Sequence, residues 1–186
     1  MNRYFDILIA IVSLFILLPL IIFVSIMIKV DSKGPIFFIS ERIGQYNQKF
    51  KMIKFRTMFI DTEIVETDKL KNPDIKITRF GKIIRRYSID EIPQLICVIF
   101  GKMAIVGPRP ALPEQTDLIK ARINLEIDKI KPGITGYAQI NGRDFISIEK
   151  KIALESEYMS KKNFIFDLLI IFKTFKVVFK KKGVSH

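Results

Sequence analysis

Apolar positions fall in two blocks at the ends of the chain, with patterned segments between them. Ile7 to Ile28 is an uncharged run of 22 residues; about 20 suffice for a membrane-crossing helix. Pro19 divides it into 12 residues before and 9 after. An interior Pro removes a helix hydrogen bond and kinks the helix. The run therefore reads either as one spanning anchor or as a helix that enters, breaks at Pro19 and returns to the same face. Asn163 to Lys182 alternates Phe, Ile, Leu and Val with Lys173, Lys176 and Lys180–Lys182. That is a basic amphipathic helix, suited to a headgroup layer or to the edge of a core.

Between the blocks, Ser32-Lys33-Gly34-Pro35 is a turn. Ile36 to Ile39 and Lys49 to Thr57 are β-rich and flank a Gly44 to Asn47 turn, which predicts a hairpin. Helical spacing is expected over Asp61 to Asn72, Arg79 to Tyr87, Ile92 to Phe100, Ala111 to Lys131 and Ile146 to Lys161. Gly136 to Ile140 suggests a short strand, and Gly107-Pro108-Arg109-Pro110 a stiff loop. The fold class is α/β, a mostly helical α+β domain. Its expected organisation is an N-terminal membrane segment over residues 1–30 and a domain over 31–186 that includes the amphipathic helix 163–182.

Composition narrows the chemistry. The 186 residues carry 31 Lys and Arg against 19 Asp and Glu, a formal net charge of +12. That excess favours a polyanionic partner such as anionic lipid or a phosphate-rich substrate. With 49% apolar residues the chain is not a disordered one. One Cys (Cys97) excludes an intramolecular disulfide and a Cys zinc cluster, and one His (His186) argues against Ser-His or Cys-His catalysis. An enzyme of this composition must work with carboxylates, Lys, Arg, hydroxyls and a hard cation.

The densest chemistry lies in Arg85-Arg86-Tyr87-Ser88-Ile89-Asp90-Glu91-Ile92-Pro93-Gln94. Ser88-x-x-Glu91 fits a capping box, but Pro93 would then sit too far inside the helix. With Asp90 as N-cap, Pro93 falls in the tolerated first turn. An Asp at a helix N-terminus sees unpaired N–H groups and the positive dipole end, so it is expected to stay ionised. An ionised Asp is a nucleophile for phosphorus, and paired carboxylates suit Mg²⁺, which takes one or two of them with water and phosphate. Arg85 and Arg86 offer planar donors to phosphate. Arg109, fixed between two prolines, suits an anion clamp. Lys54-Phe55-Arg56-Thr57-Met58 ends a strand with two cations, which a solvated edge would also explain.

Taken in order, these motifs resemble the bacterial sugar transferase family, the monotopic phosphoglycosyl transferases. The resemblance rests on the apolar helix with Pro19, Lys54 to Met58, Arg85-x-x-Ser88-Ile89-Asp90-Glu91-Ile92-Pro93-Gln94 and Val106-Gly107-Pro108-Arg109-Pro110. Pro132-Gly133-Ile134-Thr135-Gly136 and Asn141-Gly142-Arg143 complete it. It covers nearly the whole chain and matches the small form of the family, without the extra N-terminal helices of larger members.

The resemblance implies transfer of sugar 1-phosphate from a UDP-sugar to undecaprenyl phosphate, with release of UMP. Asp90 would be the nucleophile and a Mg²⁺ ligand. Glu91 would help place the metal or the acceptor. Arg85 and Arg109 would hold phosphate, with Arg56 and Arg143 weaker candidates for the donor. The N-terminal helix would be re-entrant, broken at Pro19, on the cytoplasmic face of a bacterial inner membrane rich in anionic lipid. Family members often carry Ser where this chain has Leu18. Nucleic acid is not expected as a partner. A competing reading is a non-catalytic, membrane-tethered basic protein that binds anionic lipid or scaffolds glycan assembly, which leaves the Asp90-Glu91 pair among arginines unexplained. The residues name neither the sugar, nor the pathway, nor an oligomeric state.

Overall fold

In the computed structural model, residues 2–60, 62, 73–142 and 146–179 are described. The N-terminal run is two helices, α1 (Arg3–Ile16) and α2 (Leu18–Asp31), bent by 63°. The break falls at Leu17, ahead of Pro19. Pro19 has no N–H to donate and its ring would meet the carbonyl four residues back, so the chain turns first and Pro19 sits in the first turn of α2, where it is tolerated. Among the described residues no single helix is long and apolar enough to cross a membrane; only this bent pair passes that test together. Its outer positions, among them Phe15, Leu18, Ile22 and Ile26, are exposed, while Ala10, Val24 and Ile28 are buried against the rest of the chain.

The base of α1 is fastened to the domain. Asn2 caps it by accepting from the Arg3 N–H at 3.1 Å. The Arg3 guanidinium donates to Val98 O (2.6 Å) and Ile99 O (2.8 Å), and Asp6 Oδ1 accepts from the Ile105 N–H at 3.1 Å.

The predicted hairpin is present, with a longer first strand: β1 (Phe37–Ile43) pairs antiparallel with β2 (Lys49–Phe55), from Phe37 opposite Phe55 to Ile43 opposite Lys49. Tyr46 and Asn47 close the turn in left-handed conformations (φ 54° and 57°). After the short α3 (Pro73–Lys76), α4 (Arg79–Arg86) starts on Thr78, whose hydroxyl accepts from the Gly81 N–H at 3.0 Å. A 3-10 turn (Ile89–Glu91) leads into α5 (Gln94–Ile99). Strand β3 (Ala104–Val106) then runs parallel to β4 (Gly133–Thr135).

Two expectations are corrected here. The helix expected over Ala111 to Lys131 is only α6 (Thr116–Asn124). Glu126 adopts a left-handed conformation (φ 60°) that ends the helical path, and a 3-10 turn (Ile127–Lys129) follows. The strand expected at Gly136 to Ile140 is a short helix, α7 (Tyr137–Ile140); the strand lies just before it, in β4. Helix α8 (Ile148–Lys161) is capped by Ser147, which accepts from the Lys150 N–H at 3.3 Å, and α9 (Phe164–Phe179) follows. The helix expected at 61–72 lies almost wholly outside the described residues, as do Arg143 and the Lys180–Lys182 end of the amphipathic helix.

Among the described residues, three apolar clusters hold the fold. The central one joins Ala10 of α1, Phe50 and Met52 of β2, Leu95 and Val98 of α5, Ile105 and Val106 of β3, Tyr158 of α8 and Ile170 of α9. A second gathers Val24, Ile28, Phe55 and Ile84. A third, of Ala111, Leu118, Ile127 and Ile152, packs α6 on α8. Ile92 packs on the first two and Ile89 on the second, so the 3-10 turn carrying Asp90 and Glu91 is anchored between them.

Candidate active site

Sequence reasoning places Asp90 at the N-cap of the following helix; the structure does not. Helix α5 begins four residues later, at Gln94, after Pro93. Ser88 takes a left-handed conformation (φ 55°), which reverses the chain after α4. Its carbonyl accepts from the Glu91 N–H at 3.2 Å, and Ile92 N–H donates to Ile89 O at 3.2 Å. With Ile89 and Ile92 both drawn into apolar clusters, this tight turn carries Asp90 inward, to 8% exposure.

That burial sets the electrostatics. Asp90 is pushed up from 3.8 to about 6, chiefly by desolvation; Lys54 opposes the shift, Glu91 adds to it, and Arg85 and Arg109 oppose it. The expectation of a carboxylate stabilised by a helix dipole is thus replaced by a buried carboxylate whose charge burial disfavours and cations on three elements favour. At pH 7 such a group is still ionised by roughly ten to one, yet it is far more basic than a free Asp, which suits a nucleophile.

Glu91 is fixed from two sides. Its Oε1 accepts from Lys54 Nζ at 2.8 Å and from Arg109 Nη1 at 3.2 Å. Lys54 comes from β2 and is as buried as its partner (15% against 14%), whereas the Arg109 side chain is 40% exposed. Arg109 lies in the loop after β3. There the Gly107 N–H donates to Thr135 O (2.9 Å), Pro108 O accepts from the Gly133 N–H (2.8 Å), and Arg109 O accepts from Arg122 Nη2 (2.9 Å). The loop is pinned at three successive residues while the guanidinium points out to the site.

The structure therefore brings together Asp90, Glu91, Arg85 and Arg109. Arg56 is used elsewhere: 5% exposed, it donates to Lys33 O at 2.5 Å and Ser32 O at 2.9 Å, and ties β2 to the turn after α2. Of the two cations at this strand end, Lys54 rather than Arg56 lies at the candidate site, and the strand pattern carries a signal for it. Side chains alternate along a strand, and Lys54 continues the face of Phe50 and Met52, both buried. A cation on the core-facing side of a strand needs an anion.

Among the described residues no group of three or more His, Cys, Asp or Glu could hold a metal, so none of them forms a closed cage. Mg²⁺ does not need one, since it binds through one or two carboxylates together with waters and substrate phosphates. Asp90 fits that role: a cation beside it would offset the burial that disfavours its charge. Glu91 is less available, because Lys54 and Arg109 already occupy one of its oxygens.

Along its length the chain is similar to known proteins. Residues 1–181 match the bacterial sugar transferase family. The chain is 36% identical over 197 residues to the exopolysaccharide production protein ExoY of Sinorhizobium fredii, covering 98% of this chain and 87% of that protein. It is 36% identical over 186 residues to EpsL of Bacillus subtilis, described as an uncharacterized sugar transferase, covering 100% of this chain and 91% of that protein. It is also 37% identical over 188 residues to the undecaprenyl-phosphate glucose phosphotransferase of Komagataeibacter xylinus, covering 94% of this chain but 35% of that longer protein.

Proposed function

This chain belongs to the bacterial sugar transferase family, and from that premise we propose that it moves sugar 1-phosphate from a UDP-sugar to undecaprenyl phosphate. It is a phosphoglycosyl transferase. The observation that carries this reading is the buried Asp90 among Lys54, Arg85 and Arg109, whose charges oppose the rise that burial gives its carboxyl, with its neighbour Glu91 hydrogen-bonded to two of the same cations.

The proposed chemistry has two steps. Asp90 Oδ attacks the β-phosphorus of the UDP-sugar; the new P–O bond forms as the bond to the bridging oxygen breaks, and that oxygen leaves with UMP. A phosphate oxygen of undecaprenyl phosphate then attacks the phosphorus of the aspartyl phosphosugar, the aspartyl P–O bond breaks, and the Asp90 carboxylate is restored. Phosphoryl transfer depends on positioning and charge stabilisation more than on unusual side chains, which a chain poor in His and Cys can supply. Arg109 and Arg85 receive the diphosphate charge. Lys54 holds Glu91 in place and keeps Asp90 charged. Mg²⁺, held through Asp90, would neutralise phosphate charge when bound.

The acceptor is a lipid phosphate, so the site belongs at headgroup depth. In this proposal the bent α1–α2 pair is a re-entrant helix with both ends on the cytoplasmic face of the inner membrane, and α9 lies in the same interface. The exposed Phe164, Ile165, Leu168, Leu169, Phe172 and Phe175 support the second part.

The experiment is UMP release from a panel of UDP-sugars with undecaprenyl phosphate and Mg²⁺, comparing wild type with Asp90→Asn. Release is expected with at least one donor and is lost both on chelation and in the variant, which stays membrane-attached. Absence of release with every donor, together with no phosphosugar trapped on Asp90, would favour a protein that only binds anionic lipid or scaffolds.

A further inference from the structure

Behind the site, α6 and α8 bury an ion pair that the proposed chemistry does not use. Arg122 Nε donates to Glu155 Oε2 at 2.8 Å and Arg122 Nη2 to Glu155 Oε1 at 2.6 Å. The two residues are 8% and 2% exposed. Arg122 Nη2 also donates to the main-chain oxygen of Arg109 at 2.9 Å. We propose that Arg122, oriented by Glu155, is a positioning residue that fixes the backbone from which Arg109 reaches the substrate diphosphate.

The energetics favour a positional role over a stabilising one. Removing two charges from water is costly, and an apolar pair of similar volume holds a core as well or better. The surroundings are already apolar, with Ala111, Leu118, Ile127 and Ile152 forming the adjacent cluster. What an apolar pair could not do is donate to a carbonyl. Arg109 lies between Pro108 and Pro110, and neither of these neighbours has an N–H to contribute. The peptide that joins Arg109 to Pro110 has no N–H, so its carbonyl is the group by which that peptide can be held. Arg122 supplies the donor, and the fork to Glu155 fixes the plane in which that donor lies. The Arg109 side chain stays 40% exposed. Its backbone is clamped while its guanidinium can turn from Glu91 to a phosphate.

The inference rests on the reading of Arg109 as a phosphate-binding group, and the experiment separates the two. Donor turnover would be measured for wild type, Arg122→Lys, Arg109→Lys and the double variant, all as the full-length protein in detergent or vesicles. Lys at 122 keeps the charge but cannot fork to Glu155 and reach the carbonyl in one plane. Arg122→Lys should lower kcat/KM for the donor roughly 10- to 100-fold, the scale expected for a misplaced binding group. In the Arg109→Lys background the same change should cost under about 2-fold, because residues acting through one group are not additive. A second arm, Arg122→Met with Glu155→Leu, should unfold at or above the wild-type temperature and still lose the activity. Full activity in Arg122→Lys, or an equal loss in both backgrounds, would overturn the positioning role while leaving the reaction standing. A wild type that turns over no donor would remove the reading of Arg109 and this inference together.

Discussion

The ammonium of Lys54 lies 2.8 Å from Glu91 Oε1, and both side chains are about as buried as each other (15% and 14% exposed). This contact joins the hairpin to the turn that carries Asp90. Among the groups acting on Asp90, Lys54 is also the strongest of those that favour its charged form. Lys54→Met should therefore do two separable things. It removes a charge-assisted hydrogen bond from a buried carboxylate, at a cost on the order of 1–3 kcal/mol in stability. It also lets the Asp90 carboxyl rise further, so the acid limb of the kcat/KM profile should move to higher pH. Denaturant unfolding reads the first effect and a pH–rate profile the second. An unmoved limb would show that Lys54 acts on Glu91 alone.

Asp90 itself makes stability and activity pull in opposite directions. Burial raises its carboxyl from 3.8 to about 6, so between those values the folded protein holds a proton that the unfolded chain has released. The stability this contributes is fully present below pH 3.8 and is lost as pH rises through about 6. Asn does not titrate. Asp90→Asn should accordingly abolish turnover and yet be more stable than wild type near pH 7.5, by an amount on the order of 1–3 kcal/mol. The advantage should shrink as pH falls toward 4. Wild-type activity should fall over the same window, as the proposed nucleophile, Asp90, becomes protonated below about pH 6. Thermal unfolding of both proteins across pH 4–8 is the measurement; a variant less stable than wild type at every pH would contradict the burial argument.

How much of this the sequence carries depends on distance along the chain. The hairpin is legible because its signals are local: alternation through Lys49 to Phe55 and a Gly44 to Asn47 turn. The break near Pro19 is legible because one missing N–H suffices. Asp90 and Glu91 stand out as an adjacent pair behind two arginines. The cap expected at Asp90 fails because Ile89 and Ile92 are drawn into apolar clusters, and the resulting tight turn delays the helix to Gln94. Ala111 to Lys131 keeps an apolar rhythm through a left-handed residue, Glu126, that no periodicity reveals. Which carboxylate each cation meets, Glu155 for Arg122 at 33 positions and Glu91 for Lys54 at 37, belongs to packing alone.

The parallel pair β3–β4 is built on a close approach that admits no side chain. A Cβ on Gly133 would lie 2.1 Å from the Gly107 nitrogen and 2.4 Å from Thr135 O, both backbone atoms that cannot rotate aside. Gly133→Ala must force the strands apart where Gly133 N–H meets Pro108 O. The expected cost is about 1–3 kcal/mol of stability, the range of overpacked cores. Because Gly107 opens the loop that carries Arg109, kcat/KM should drop more than the stability loss explains at temperatures where the variant remains folded. Calorimetry with turnover at low temperature tests both halves.

The last prediction concerns the bend. Pro19→Ala restores an N–H able to reach the Phe15 carbonyl and removes the ring that clashes with it. The uncharged run from Ile7 to Ile28 would then be about 33 Å long as one helix, close to the roughly 30 Å of a bilayer core. A straight helix would carry the N-terminus across the membrane. That would break the bonds from Arg3 to Val98 O and Ile99 O, and the one from Ile105 N–H to Asp6. The variant should therefore show a fraction of chains whose introduced N-terminal Cys is labelled from the periplasmic side, and that fraction should be inactive. The native thiol, Cys97, is buried at 4% exposure and gives little background. In the wild type the same Cys should react only from the cytoplasmic side. Periplasmic labelling of an active wild type would replace the re-entrant arrangement with a spanning one, in which the Arg3 and Asp6 contacts could not form.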